Sequence, residues 1–283
     1  MDNMKVTDRL SRIMRNAESE AQQSTNKILK PIHLLIACFY EKTGALGEVS
    51  LKCSLDAASL RAKVEDTKYN SNQNIAESPL FNVSVTEEVI NVFEVAIGIM
   101  NRYNQVYLNE GHVLKSLIKA NFIDEFLTDY NKEIIATLGT TSRDMITHLG
   151  HYIFPTISFQ GVHKVKHNQV DELVKYVERN FSYEWSQTIK DGFKSRNPSM
   201  YIALNNEEEI IGFAAFDVYK NKKCYFGPMG VSEPNRISGI GYSLLHHCLK
   251  DMKEIGYEYA IIGGAGPIEF YEKACNAVVI PSA

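Results

Sequence analysis

The chain has 283 residues, 45% of them hydrophobic and 23% charged, with a formal net charge of -4. That length suits two cores at roughly 150 residues each, the composition is that of an ordinary globular protein, and the mild acidity leaves no electrostatic footprint for nucleic acid. The start lacks a signal-peptide core and no run reaches the ~18 uninterrupted apolar residues that span a membrane, so a cytoplasmic protein without membrane association is expected.

Five cysteines (Cys38, Cys53, Cys224, Cys248 and Cys275) are scattered and never spaced as CxxC. Reduced thiols are expected, with neither a disulfide framework nor a metal site.

Residues 1–147 read as helical throughout and as a duplication, with copies at about 5–70 and 84–146. Val6 and Thr7 answer to Val85 and Thr86, Leu10 to Val89, Ile13 to Val92, Ala17 to Ala96, His33 to His112 and Leu35 to Leu114, at a constant offset of 79 residues. In each copy a threonine precedes apolar residues at helical spacing, which predicts an N-cap and an amphipathic helix. Neither copy buries its apolar face alone, so the two should pack as one domain. His33 and His112, at the entrances of apolar helices, read as capping or packing residues.

Gly150 and Pro155 interrupt the helical period over 148–155 and mark a boundary, with a second domain expected over 156–283. Its elements read in order as a strand at 157–163, a helix at 168–180, a helix at 184–194 carrying Trp185, and strands at 200–204 and 210–216. A strand at 224–231 follows, interrupted by Gly227 and Pro228 and therefore expected to bulge.

Next come Arg236-x-x-Gly239-x-Gly241, a helix ending at Gly256, a strand at 259–262, a short helix within 266–276 and a strand at 277–280. Two glycines at a helix entrance are poor helix formers. The unpaired N–H groups and the helix dipole there favour an anion, so the turn suits a diphosphate. The pattern is too short for GxGxxG and lacks the lysine of a P-loop.

The paired segments running from Val6 to His33 and from Val85 to His112 resemble the duplicated N-terminal domain of the Clp unfoldases, over roughly residues 5–146. That resemblance implies docking of adaptors or protein substrates. In some members a glutamate just before each histidine reads phosphoarginine, but here Ile32 and Gly111 hold those places, with Glu110 one residue early. Without a GxxxxGK[ST] run the chain is no unfoldase.

In the second half, Arg236-x-x-Gly239-x-Gly241 stands between Met229-x-Val231 and the segment Phe270-Tyr271-Glu272-Lys273. This arrangement resembles the GNAT superfamily of N-acetyltransferases over about 125 residues. The expected fold class is α + α/β: a duplicated all-α, Clp-N-like helical domain, then a GNAT fold with a central mixed, mostly antiparallel sheet flanked by helices.

The resemblance implies that Ser238, Gly239, Ile240, Gly241 and Tyr242 bind the pyrophosphate of acetyl-CoA through backbone amides, with Arg236 as a charged helper. Met229 and Val231 would hold the pantetheine, the Val231 backbone polarising the thioester carbonyl. Tyr271 would protonate the departing thiolate, and Asn276 stands in the cofactor-binding set where the family has a glycine. A base is needed to leave the acceptor amine neutral, with Glu233 and Asp217 as candidates. Trp185, Tyr183 and the segment near Tyr219 would line the acceptor pocket.

No cysteine, serine or histidine arrangement suggests a covalent intermediate, so direct transfer to an amine is expected. Two departures stand against the family pattern. Ile237 replaces a usual glycine, and the sequence ends shortly after 277–280, where members continue into a seventh strand. An unpaired sheet edge is therefore expected, to be filled by a second subunit of a homodimer or left open. The rival reading is a non-catalytic adaptor or CoA-sensing protein whose helical domain docks a protein partner.

Overall fold

Helix α1 (Asp8–Gln23) starts where Thr7 stops being extended and its hydroxyl accepts from the Leu10 N–H at 3.2 Å. In this computed structural model, which describes residues 4–66, 74–236 and 239–282, the first unit holds six further helices: α2 (Pro31–Tyr40), α3 (Ala45–Lys52), α4 (Ala57–Asp66), α5 (Glu87–Arg102), α6 (Glu110–Lys119) and α7 (Asp129–Ile134). Four two-residue strands accompany them: β1 (Lys5–Val6), β2 (Ile75–Ala76), β3 (Val85–Thr86) and β4 (Tyr107–Leu108).

The duplication explains how these pieces interlock. Val6 of β1 pairs with Leu108 just ahead of α6, and Val85 of β3 bridges to Leu29 just ahead of α2. The hydrogen bonds repeat as well, Thr7 N–H to Leu108 O at 2.9 Å and Thr86 N–H to Leu29 O at 3.0 Å. Each copy thus supplies the strand that the other copy's second helix begins from. Leu10, Ile13, Ala17, Val89, Val92, Phe93 and Ala96 share one core with Leu34, Leu35, Val113 and Leu114.

The second N-cap differs from expectation. Among the described residues Thr86 makes no side-chain cap bond and its buried hydroxyl has no partner; the residue is held in the β2–β3 ladder opposite Ile75. Both histidines do cap. His33 Nδ1 accepts from the Lys30 N–H at 3.1 Å and His112 Nδ1 accepts from the Asn109 N–H at 3.2 Å. Burial depresses both imidazoles to a pKa of about 4, so each stays a neutral acceptor. Glu110 is committed inside the unit, bonded to Arg9 at 2.9 Å.

The second unit is a seven-stranded sheet in the order β11-β5-β10-β9-β8-β7-β6. Its strands are β5 (Arg143–His148), β6 (Val162–Lys164), β7 (Met200–Leu204), β8 (Ile210–Phe216), β9 (Tyr225–Val231), β10 (Tyr259–Ala265) and β11 (Val278–Val279), with helices α8 (Val170–Asn180), α9 (Tyr183–Gly192), α10 (Ile240–Ile255) and α11 (Ile268–Cys275). β9 and β10 pair parallel, at Tyr225–Ile261 and Phe226–Ile262, while the successive pairs from β6 to β9 are antiparallel. Side chains alternate across the strands. Phe213 joins Leu173, Val177 and Ile189 of α8 and α9 on one face, while Gly212 admits Leu244 and Ile240 of α10 on the other.

Two expectations are corrected here. The stretch 143–148, read as the end of the helical half, is strand β5, which pairs antiparallel with β11 at Ile146–Val278 and Met145–Val279. The sheet position expected to lie open is therefore filled by an upstream segment of the same chain. The signal was masked because the inward residues are Arg143, Met145 and Thr147, so burial alternates while hydrophobicity does not. The strand read at 157–163 shrinks to Val162–Lys164. Residues ahead of it are held by side chains instead of a ladder, with Ser243 Oγ donating to Phe159 O at 2.9 Å and Gln160 Nε2 to Ile157 O at 2.8 Å.

Candidate active site

The last three residues of β9 and the first turn of α10 come together because the connection between them is short. Strand β9 does bulge: Met229 pairs with Ala214 and Phe226 with Phe216, so the pairing register shifts around Gly227 and Pro228. Beyond the bulge Met229 and Val231 face α10, while Gly230 faces the other way.

Helix α10 opens on Gly239, at φ 72° in the left-handed region, and among the described residues no side chain caps its N-terminus. Sixteen residues of aligned peptide dipoles end there, and a helix's first N–H groups lack intrahelical partners, an arrangement that favours an anion. Gly241 adds a second observation. A Cβ built on it would meet Val231 Cγ2 at 3.7 Å, Phe270 Cζ at 3.9 Å and Met229 Cε at 4.0 Å, all ordinary contacts. The folded chain does not itself demand a glycine at 241. This is the cradle expected where a ligand comes close to the backbone, and it fits a pyrophosphate.

Of the residues singled out in the sequence, Met229, Val231, Gly239, Ile240, Gly241 and Tyr242 converge here, while Ser238 and Ile237 lie outside the described residues. Arg236 is half-buried and its Nε–H donates to the Val231 carbonyl at 3.0 Å, clamping the end of the strand. Tyr271 lies buried on α11 with its ring edge-on to Phe226 of β9, and burial pushes its hydroxyl above the ordinary phenol range. No hydrogen bond engages that hydroxyl among the described residues. Asn276 is exposed at φ 53°, the left-handed closure of α11, which is a helix-terminating role.

The two candidate bases do not meet. Glu233 is exposed on the turn just after β9. Asp217 sits at the strand's opposite end, where its N–H donates to Tyr225 O at 2.8 Å and its carboxylate accepts from Tyr257 Oη at 2.7 Å. A strand of this length puts roughly 20 Å between them. Tyr219 stacks on Tyr225 at that same far end, 5.5 Å between centroids.

Trp185 instead reaches the near end, stacked on Phe181 at 5.7 Å, and the Phe181 ring lies where a side chain on Gly230 would stand. Tyr183 is exposed. Sequence reasoning missed Phe181, Phe270 and Tyr176. Their only signal was the density of aromatics around residues whose roles were already assigned.

Comparison with known proteins places both halves. Residues 5–130 match the Clp repeat (R) N-terminal domain and residues 169–277 match the Acetyltransferase (GNAT) family. The chain carries a Clp-N domain and a GNAT domain, and the latter supports N-acetyltransferase activity in general.

Among solved structures, the chain is similar to the N-terminal domain of the caseinolytic protease associated chaperone ClpD from Arabidopsis thaliana, at 18% identity and a TM-score of 0.39, covering 48% of this chain and 93% of that one. It is similar to a GCN5-related N-acetyltransferase from Sphaerobacter thermophilus, at 19% identity and a TM-score of 0.40, covering 50% of this chain and 49% of that one. It is also similar to the glucosamine N-acetyltransferase region of a fungal multi-domain β-N-acetylglucosaminidase, at 15% identity and a TM-score of 0.44, covering 59% of this chain and 22% of that one. The chain thus spans about half of the bacterial protein and about a fifth of the fungal one.

Proposed function

We propose that the second unit acetylates an amine by direct transfer from acetyl-CoA, and that the helical unit docks the protein partner or protein substrate. The observation that carries this reading is the uncapped start of α10, opened by Gly239 and followed by a glycine at 241 that packing alone does not require.

When bound, acetyl-CoA supplies an acyl group activated as a thioester. The N–H groups at the start of α10 hold its pyrophosphate. Beyond the bulge, the backbone at Val231 orients the thioester and gives its oxygen a donor, a contribution of roughly 3 to 4 kcal/mol where such a donor is well placed. Transfer exchanges a C–S bond for a C–N bond, takes one proton from the amine and delivers one to the thiolate.

Tyr271 delivers the second proton. Burial keeps its hydroxyl protonated at neutral pH, and no hydrogen bond among the described residues engages it. Glu233, exposed beyond β9, takes the amine proton through solvent. The rival of a silent domain drew support from the expected open sheet edge, which β5 fills.

The test is acetyl-CoA binding to the full chain, followed by melting. At 100 times Kd the second unit gains about 2.7 kcal/mol of stability. A chain whose melting does not respond to millimolar acetyl-CoA is not an acetyl-CoA enzyme. If binding is found, Tyr271→Phe lowers kcat about 100-fold and leaves the acetyl-CoA Kd unchanged; an unaltered kcat removes Tyr271 from the mechanism.

A further inference from the structure

Two donor groups at the end of β9, the Tyr176 hydroxyl and the Arg236 guanidinium, are incompletely satisfied among the described residues. Tyr176, on α8, holds its hydroxyl in a buried position with no hydrogen-bond partner. Ser232 is its near neighbour, but the Ser232 N–H and hydroxyl both donate to Ile211 O, at 2.9 and 3.1 Å, and the hydroxyl also accepts from Asn235 Nδ2 at 3.0 Å. Arg236 uses its Nε–H on the Val231 carbonyl, and the rest of its half-buried guanidinium forms no ion pair among the described residues.

Glu233 is within electrostatic reach of Arg236 without bridging to it. Tyr176 and Arg236 are within electrostatic reach of each other. A buried hydroxyl without an acceptor and a half-buried cation without a bridging carboxylate both oppose folding, and such arrangements persist where a ligand completes them.

Both groups are donors, and one carries a positive charge. What completes them is a negatively charged oxygen. We propose that Tyr176 and Arg236 form an oxyanion subsite for the acceptor, so that the amine acetylated by this protein carries a carboxylate or phosphate close to its nitrogen. The proposal rests on the acetyltransferase reading above and names the substrate class of that site.

The pyrophosphate is a poorer explanation for the pair. Gly230, which faces Phe181 at the end of α8, points away from Gly241, which faces Met229 and Val231. Tyr176 therefore belongs to the face of the sheet opposite α10. Beside it, Phe181 stacks on Trp185, both edge-on to the buried Phe213, and the half-exposed Trp185 gives apolar surface to the rest of the acceptor.

The experiment uses the full chain and two matched pairs of acceptors: phenylalanine against 2-phenylethylamine, and phosphoethanolamine against ethylamine. Acetyl-CoA binding is first measured by calorimetry, and CoA release is then followed for each amine. The expected result is a kcat/KM at least tenfold higher for the anionic member of one pair, the pair identifying carboxylate or phosphate. In Tyr176→Phe, which removes only the unpartnered hydroxyl, that ratio falls about tenfold while the acetyl-CoA Kd is unchanged.

Equal or better turnover of the uncharged members, no turnover of either anionic amine, or an unchanged ratio in Tyr176→Phe overturns the proposal. So does an Arg236→Gln variant that weakens acetyl-CoA binding and leaves the ratio intact. Failure to bind acetyl-CoA at all defeats the parent reading, and this one with it.

Discussion

Lowering the pH from 7 to 5 should destabilise the helical unit by about 4 kcal/mol through two side chains alone. His33 and His112 are 3% and 5% exposed, and each accepts a backbone N–H through Nδ1. Protonation would replace that acceptor with a second donor aimed at a donor. Their folded pKa is about 4, against 6.5 for a free imidazole. Between those values the unfolded chain binds more protons, so stability is complete above pH 6.5, falls as the pH drops and levels off below 4. At pH 5 the linkage relation gives about 2 kcal/mol for each histidine. Ordinary carboxylates contribute little in that window, because their own protonation begins lower.

Proton NMR titration of the imidazoles reads the two pKa values directly. Urea unfolding followed by amide exchange within 31–40 and 110–119 reads the stability. In the double variant His33→Gln with His112→Gln, the side-chain oxygens keep the capping acceptors without titrating, and the pH 7 to 5 loss should shrink to below about 1 kcal/mol. Imidazoles titrating near 6.5, or an undiminished loss in the double variant, would refute the capping argument.

Gly241→Ala should leave the melting temperature unchanged or slightly higher, since the added methyl meets only contacts of 3.7 Å and beyond and alanine favours a helix by about 1 kcal/mol. The same change should weaken acetyl-CoA binding at least tenfold; unchanged affinity would mean the glycine serves no ligand. A fragment of residues 156–283, which lacks β5, should show no cooperative unfolding, whereas 140–283 should melt as a unit. Met145→Ala in the full chain, at a fully buried position, should cost about 2 to 5 kcal/mol in the second unit. A cooperative transition in the shorter fragment would make β5 dispensable.

What could be read in the sequence was what repeats or what carries a rare residue. The 79-residue register announced two helical copies because each conserves its own periodicity. Glycines at 239 and 241 announced a helix start with a purpose, since nothing in helix propensity favours them. Strand β5 was invisible because Arg143 and Thr147 point inward. The Thr147 hydroxyl is satisfied by a partner remote in sequence, its Oγ1 donating to Cys275 O at 2.6 Å.

The base candidates were drawn from carboxylates near a strand, and only the pairing of β8 with β9 separates Asp217 from Glu233. Tyr176 went unnoticed for a related reason. On α8 it reads as one more aromatic of an apolar face, and its missing hydrogen bond is a property of three dimensions.

The placement of β5 also sets the order in which the protein is made. A ribosome releases Ile146 roughly 130 residues before Val278, its partner across the ladder. At the usual 5 to 20 residues per second this strand waits on the order of 10 seconds for its neighbours. The two helical copies have by then emerged and can pair, since each begins what the other finishes. The sheet has no such independence. Its β5–β11 edge closes only once nearly the whole protein has left the tunnel, so the nascent second unit is the part most in need of protection from aggregation.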